Sequence, residues 1–281
     1  MFRIVDKRVL NSEVVLMTVE APFIARKALP GQFIIFRIDQ YGERVPLTIS
    51  DYDREAGTVT IIFQIVGKST RALARLEVGD ELEDFVGPLG KASHLDGLKR
   101  VCVIGGGLGT AIAFPQAKYL HNRGAEVDII AGFRNKDIVI LEDEMRTNCT
   151  NLYITTDDGS YGEKGFVSDK LRALIEGGEK YEQIIVIGPL IMMKVVCDVT
   201  KEYGIKTEVS MNTVMLDGTG MCGACRLTVD GETKFACVDG PDFDGHKVDF
   251  VEAMSRNTIF RKEERDADGH YCNLIGGIRR D

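Results

Sequence analysis

A chain of 281 residues with 44% hydrophobic and 28% charged side chains has enough apolar surface for two domains and a small third. Its net charge of −8 argues against nucleic acid and anionic membrane as partners, and no apolar run reaches the roughly 18 residues of a membrane span. Seven cysteines, three of them clustered, fit a reducing cytoplasm better than a disulfide framework.

The N-terminus, Met1-Phe2-Arg3-Ile4-Val5, alternates like a strand and does not read as a signal peptide. As far as Leu98, short alternating or β-branched runs are broken by Gly, Pro and Asp. Val14–Glu20, Gln32–Ile38, Thr58–Val66 and Glu81–Val86 are expected strands, and Ser69–Arg75 is the one helical stretch. Strands at this spacing predict a small antiparallel β-barrel over residues 1–98. Two stretches in it can carry chemistry. Arg44-Val45-Pro46-Leu47-Thr48-Ile49-Ser50 sets a cation and two hydroxyls along a strand, and Gly67-Lys68-Ser69-Thr70 opens the helical stretch, where free N–H groups and the helix dipole favour a phosphate. A charged edge strand and an ordinary Ser/Thr cap would explain the same residues.

From Lys99 the period changes. Val101–Ile104 is a short buried strand, followed by Gly105-Gly106-Gly107-Leu108-Gly109-Thr110, a helix over Ala113–Asn122 and a second strand at Val127–Ala131. This is a βαβ unit with a glycine-rich, phosphate-cradling turn. Strands at Leu152–Thr155 and Gln183–Ile187, each trailed by a helical pattern (Ser168–Ile175, Leu190–Glu202), predict a doubly wound parallel sheet over residues 99–210. Its ligand belongs at the carboxyl ends of the strands, where the loops carry Asp157 and Asp158, then Gly188, Pro189 and Met192. Such loops suit a nicotinamide nucleotide, and simple turns are the competing explanation. No acidic residue ends the second strand, and Arg134 with Lys136 could face a 2′-phosphate, so NADH and NADPH both stay open.

Residues 211–281 form a third unit, a small lobe with a tail. Asp217, Cys222, Cys225 and Cys237 fall at x4, x2 and x11 spacing around glycines 218, 220 and 223. A turn of that kind lets backbone N–H groups surround a negatively charged cluster. The spacing resembles plant-type 2Fe–2S loops with Asp217 in the first cysteine's place; carboxylate is a harder, less common iron ligand than thiolate. Structural zinc and a redox dithiol are the other readings of a Cys-x2-Cys pair. A hairpin around Asp230-Gly231 returns Cys237, residues Val238–His246 are expected as turns, and Val248–Arg256 as helix. Arg261–Gly269 is charged and exposed or partner-facing, with Cys272 left free.

Taken together, Pro30-Gly31-Gln32-Phe33, Arg44-x-Pro46-Leu47-Thr48, Val66-Gly67-Lys68-Ser69-Thr70 and Gly87-Pro88-Leu89-Gly90 resemble the flavin domain of the ferredoxin–NADP reductase superfamily. That resemblance implies FAD held by Arg44, Pro46, Leu47, Thr48, Val66, Gly67, Ser69 and Thr70. Leu47 stands near the place of the family's usual aromatic. It implies NAD(H), or NADP(H), at Gly105, Gly107, Leu108, Gly109, Thr110, Asp157, Asp158, Gly188, Pro189 and Met192, with Ile187 where the family often has cysteine. Barrel, nucleotide domain and 2Fe–2S lobe in this order resemble the electron-transfer subunits of dihydroorotate dehydrogenase. The run Val214-Met215-Leu216-Asp217-Gly218-Thr219-Gly220-Met221-Cys222-Gly223-Ala224-Cys225 with Phe235-Ala236-Cys237-Val238-Asp239-Gly240-Pro241 is similar to the small-subunit family of NADH-dependent ferredoxin–NADP oxidoreductases and sulfide dehydrogenases. This implies a heterodimer with a larger flavin- and 4Fe–4S-containing subunit, which reaches ferredoxin and bifurcates electrons. A zinc-holding nucleotide sensor is the reading from a different class.

Overall fold

The computed structural model describes residues 1–264 and 266. The N-terminal runs become β1 (Phe2–Val9), β2 (Val14–Glu20), β3 (Phe33–Arg37), β4 (Val45–Asp53), β5 (Thr58–Gln64), β6 (Glu81–Leu82) and β7 (Asp84–Leu89), hydrogen-bonded in the order β6-β1-β2-β5-β4-β3-β7. Every pairing is antiparallel. The sheet rolls into a nearly closed barrel around Met17, Phe36, Ile61 and Phe63, each fully buried. Burial of each contributes about 1.5–3 kcal/mol. Val14, Leu16 and Ile62 point the other way and pack against the second unit, so β2 is apolar on both faces. The expected single strand Glu81–Val86 divides at Glu83. Its first part pairs with β1 and its second with β3, because Glu83 N donates to Ile38 O at 3.1 Å and the chain changes partners there. A helix not expected from the sequence, α1 (Pro22–Lys27), begins with proline at its first position, where the missing N–H costs nothing. The expected helical stretch is α2 (Lys68–Leu73).

The second unit is β8 (Arg100–Gly106), α3 (Gly109–Asn122), β9 (Glu126–Phe133), α4 (Glu142–Arg146), β10 (Asn151–Thr156), β11 (Glu163–Lys164), α5 (Val167–Glu176), β12 (Gln183–Ile187), α6 (Leu190–Glu202) and β13 (Lys206–Ser210). The strands run parallel in the order β11-β10-β9-β8-β12-β13. Strand order reverses between β8 and β12, and the crevice above that switch point is where such sheets take ligands.

The lobe holds a hairpin, β14 (Arg226–Val229) and β15 (Glu232–Phe235), whose Asp230 and Gly231 have φ of 54° and 75°. Both central residues are left-handed, as a tight hairpin turn requires. Val238–His246, expected as turns, instead continues α7 (Ala236–Asp239) and holds β16 (Asp242–Asp244). β16 pairs antiparallel with β13 and becomes the edge of the parallel sheet. α8 (Phe250–Arg256) follows, capped by Asp249, whose side chain accepts from Glu252 N at 2.9 Å. One core runs through all three units, joining Phe33 and Ile35 to Ile104 and Val186 and to Cys225 and Cys237. Residues 265 and 267–281, with Cys272 and the end of the charged stretch, lie outside the described residues.

Placing β16 on β13 crowds acids. Glu208 accepts from Gln183 Nε2 at 2.7 Å, yet burial, reinforced by Asp242 and Asp244, pushes its carboxyl up to about 7. A carboxyl raised on folding stabilises the fold below its unfolded value and loses that contribution as pH rises through about 7. Glu208→Gln is therefore expected to flatten the fall of stability between pH 5 and pH 8 by on the order of 2–3 kcal/mol. Denaturant midpoints across that range measure it, and an unchanged slope would refute it.

Candidate functional site

At the switch point each glycine of the turn after β8 has its own steric reason. A Cβ on Gly105 would meet Thr110 Cα at 2.4 Å, and one on Gly109 would meet the Ile187 carbonyl oxygen at 2.3 Å. Gly107, with φ of +56°, faces open space. The first glycine makes the turn, the last lets α3 lie close against the end of β12, and the middle one leaves room for a pyrophosphate to approach backbone. Leu108 caps α3, and Thr110 is buried with its hydroxyl unpartnered. Met192 inserts between the two glycine loops, since a Cβ on Gly106 would meet its Sδ at 2.3 Å and one on Gly188 its Cε at 2.6 Å. Pro189 is exposed at the rim.

Asp157 and Asp158 are both exposed after β10. Asp158 is committed to its own turn: it accepts from Ser160 N at 2.9 Å, and bonds to Ser160 hold its carboxyl below the usual range. Thr155, which no motif singles out, is 2% exposed; its hydroxyl has no partner among the described residues and lies 3.3 Å from where a Gly132 side chain would begin. Buried orphan hydroxyls at the carboxyl ends of parallel strands are what a bound nucleotide would satisfy. Only the Gly-Thr-Thr pattern of neighbouring strand ends hints at Thr155. Arg134 and Lys136 are exposed beside this crevice.

On the barrel, Val45–Thr48 of β4 are four consecutive half-buried residues. Val45 and Leu47 share the face that packs against the barrel core, so the face carrying Pro46 and Thr48 is the one open to a flat ligand. Arg44 stands exposed just before it. Val66 is exposed, and Val66 N and Gly67 N donate to Thr70 Oγ1 at 3.0 and 3.1 Å. Ser69 Oγ donates to Glu43 Oε2 at 2.6 Å, tying the start of α2 to the residue before Arg44. The two expected flavin motifs are thus brought together. Leu47 packs against the barrel core.

The cysteine loop rests directly on this barrel. Gly218, with φ of +75°, is buried so closely that a Cβ would lie 2.4 Å from Ile35 Cδ1 and 3.2 Å from Leu89 Cδ1. Those residues belong to β3 and β7, and β3 is hydrogen-bonded to the open strip of β4, pairing Phe33 with Thr48. Asp217 organises the loop: Oδ1 accepts from Thr219 N and from Thr219 Oγ1, the latter at 2.8 Å, and Oδ2 accepts from Cys222 N at 2.7 Å. Those bonds hold its carboxyl far below the usual range; Oδ1 has both lone pairs engaged, and Oδ2, with one bond, keeps a lone pair for a cation. Cys225 and Cys237 are buried, with Sγ atoms 3.2 Å apart, too far for a disulfide of about 2.05 Å. Burial, and then the adjacent Cys225 thiol, push Cys237 up to about 12. As thiolates, such a pair would require a cation between them, which is the chemistry of a metal or iron–sulfur ligand set. Cys222 is exposed at the lip. Among the described residues no three His, Cys, Asp or Glu side chains converge on one point; the loop pairs Cys225 with Cys237 and, separately, Asp217 with the backbone of Cys222. Arg256 braces the loop from α8, donating to Arg226 O at 3.0 Å and Ala224 O at 3.2 Å. The remaining described cysteines stand apart, Cys102 and Cys197 in the core and Cys149 half-buried.

A family model described as the iron–sulfur cluster binding domain of dihydroorotate dehydrogenase B matches residues 212–249. An uncharacterized protein in the adh 3′ region of Clostridium beijerinckii is 52% identical over 275 residues, 95% of this chain and 93% of that one. The dihydroorotate dehydrogenase B (NAD(+)) electron transfer subunit homolog of Thermotoga maritima is 40% identical over 273 residues, 97% of this chain and 96% of that one. A chain from the structure of an NADH-dependent reduced ferredoxin–NADP oxidoreductase, solved to understand flavin-based electron bifurcation, superimposes with a TM-score of 0.91 at 38% identity, covering 97% of this chain and 98% of that one.

Proposed function

The chain belongs to the family of dihydroorotate dehydrogenase B electron transfer subunits and their homologues, and from that premise we propose that it is a flavin- and 2Fe–2S-containing electron-transfer subunit exchanging hydride with NAD(H). The observation that carries this reading is the seating of Gly218 on Ile35 and Leu89, which puts the cysteine loop against the strand paired with β4. FAD and the cluster, when bound, supply the conversion of a two-electron hydride into single electrons.

The chain's own residues hold and orient. Arg44, Pro46, Leu47 and Thr48 line the flavin strip, and Gly67, Ser69 and Thr70 form the start of α2, whose Ser69 and Thr70 amides are offered to its phosphates. Gly105, Gly107, Leu108, Gly109 and Thr110 cradle the nicotinamide nucleotide, with Gly188, Pro189 and Met192 closing the crevice beside it. Asp217, Cys222, Cys225 and Cys237 hold the cluster; the thiolates supply negative charge and the carboxylate one hard oxygen. Around the loop, Leu216, Met221 and Val238 are exposed by 50%, 88% and 39%. An apolar rim at the exit of an electron path fits a larger partner subunit, which we take to carry its own flavin and 4Fe–4S clusters and to serve ferredoxin in the cytoplasm.

The likeness to the ferredoxin–NADP oxidoreductase chain favours the bifurcating complex. The second reading, a subunit of dihydroorotate dehydrogenase, draws on the match over residues 212–249. Protein purified without air is expected to absorb in the visible and to contain iron, acid-labile sulfide and FAD, and the large subunit that co-purifies separates the two complexes. A colourless protein holding zinc overturns both. Asp217→Cys is expected to keep the cluster and shift its potential, because ligand charge sets it. An identical midpoint and EPR spectrum would remove Asp217 from the ligand set.

A further inference from the structure

Four segments from distant parts of the chain meet at one buried point. Ser93 lies in the connection between barrel and parallel sheet, Gln116 in the middle of α3, Asp242 at the start of β16, and Gly31 in the turn that launches β3. Ser93 Oγ donates to Asp242 Oδ2 at 2.5 Å, while Gln116 Nε2 donates to Ser93 Oγ at 2.8 Å and to the same carboxylate oxygen at 3.3 Å. Gln116 is 0% exposed. Neither its Oε1 nor Asp242 Oδ1 has a partner among the described residues. A Cβ on Gly31 would fall 2.2 Å from Ser93 Oγ and 2.9 Å from Asp242 Oδ2, so the turn is pressed onto the junction. Backbone bonds fasten the rim: Ser93 N to Pro30 O at 3.0 Å, Lys91 N to Gly240 O at 2.6 Å, and Met211 N to Pro241 O at 2.9 Å.

A carboxyl buried without a bonded cation is costly, and an apolar side chain would fill the same space at less cost. Burial pushes Asp242 up to about 6, against the Ser93 and Ser210 hydroxyls and the charge of His94. What the carboxyl adds is selectivity of geometry, because its Oδ2 is bonded only when donors from two other segments arrive together. Its place along the chain gives that geometry a use. Cys237 and Asp242 bracket a short segment whose Gly240 carbonyl is pinned to Lys91, next to the Gly90 turn whose added Cβ would meet Phe33. Phe33 in turn pairs with Thr48 on the flavin strip.

We propose that Asp242 is a positioning residue for electron transfer: by gathering Ser93 and Gln116 it fixes the segment after Cys237, and the cluster loop with it, against the flavin-bearing barrel and α3. This rests on the reading of the chain as a flavin- and cluster-bearing subunit. Because α3 starts at the glycine-rich turn, the same junction also joins the nucleotide-binding helix to the lobe.

The test uses the full chain reconstituted without air with FAD, iron and sulfide. Asp242→Ala is expected to speed hydrogen exchange at the amides of Lys91, Ser93 and Met211 by about tenfold or more, with Val103 and Ile129 in the central strands unchanged. Flavin-to-cluster electron transfer after flash reduction should slow by about tenfold at unchanged iron and flavin content. Asp242→Asn keeps an oxygen that can accept both bonds and should stay within about threefold of wild type in both measurements. Unchanged exchange in Asp242→Ala, an unchanged transfer rate, or an asparagine variant as impaired as the alanine one overturns the proposal. Should Asp242→Ala not fold, Gln116→Leu removes one donor and carries the same expectations. A wild-type chain that takes up neither iron nor flavin overturns the electron-transfer reading and the positioning role with it, and it does so before any variant is measured.

Discussion

Cys237→Ala is expected to strip the chain of its iron and acid-labile sulfide while leaving flavin bound and reducible by NADH. Cys237 sits on α7, whose place is set by Ala236 N donating to Cys225 O at 3.1 Å and by Phe235 N donating to Asp239 at 2.8 Å. The short helix thus delivers one buried sulfur to another, 3.2 Å away. Alanine removes half of the only sulfur pair the lobe brings together among its described residues, whereas the flavin strip and the glycine crevice lie on other elements. Delivery of electrons to a one-electron acceptor should fall by about a hundredfold or more, at or above the top of the roughly ten- to hundredfold loss from disturbing a residue that only supports a ligand. Cys102→Ala and Cys197→Ala are the controls. Those thiols are 0% and 4% exposed and burial pushes both up, Cys197 to about 12. Losing either should cost about 1 kcal/mol of packing and no iron. Iron retained at the wild-type ratio in Cys237→Ala would show that the cluster is held elsewhere.

Much of this arrangement was legible in the residues, and the illegible parts have physical causes. Cysteine spacing and glycine turns are local, so Asp217 through Cys237 and Gly105 through Gly109 stand out along the chain. The parallel strands do so as well, because burial on both faces leaves short continuous apolar runs. β16 does not. It is three residues, Asp-Phe-Asp, without periodicity, and becomes a strand only because β13 offers an edge and Phe243 a core to enter. The division at Glu83 was hidden for a related reason: the run is too short to show that Leu82 and Phe85, both buried and three apart, break the alternation where the pairing partner changes from β1 to β3. Ser93, Gln116 and Asp242 are polar residues in unrelated stretches, and their convergence is purely tertiary. The sequence also placed Asp157 and Asp158 together as nucleotide ligands. The fold engages Asp158 in its own turn and leaves the neighbouring Thr155 hydroxyl unsatisfied.

Asp128→Ala should produce the largest loss of stability of any single substitution considered, about 3–5 kcal/mol. Asp128 stands inside the apolar run of β9 and is 0% exposed. Its Oδ1 accepts from Arg100 Nη1 and Asn151 Nδ2, both at 2.8 Å, and its Oδ2 from Arg100 Nη2 and the Tyr181 hydroxyl, both at 2.7 Å. One carboxylate thereby satisfies donors at the starts of β8 and β10 and just before β12. Arg100 also reaches Glu179 at 2.5 Å and lies over the Tyr181 ring, 5.0 Å from its centroid. Burial alone would lower the Arg100 value, but the bonds to Asp128 and Glu179 outweigh it and the guanidinium stays charged. Alanine leaves that cation, a phenol and an amide without their shared acceptor. The double variant Arg100→Met, Asp128→Leu should recover more than half of the loss, because it removes the buried charge together with its partner. All four groups sit at the amino ends of the strands, opposite the crevice. Folded Asp128→Ala protein at low temperature should therefore bind NADH as the wild type does, while its denaturant midpoint drops. A loss below about 1 kcal/mol would mean that water had taken over the acceptor's role, as at a surface ion pair.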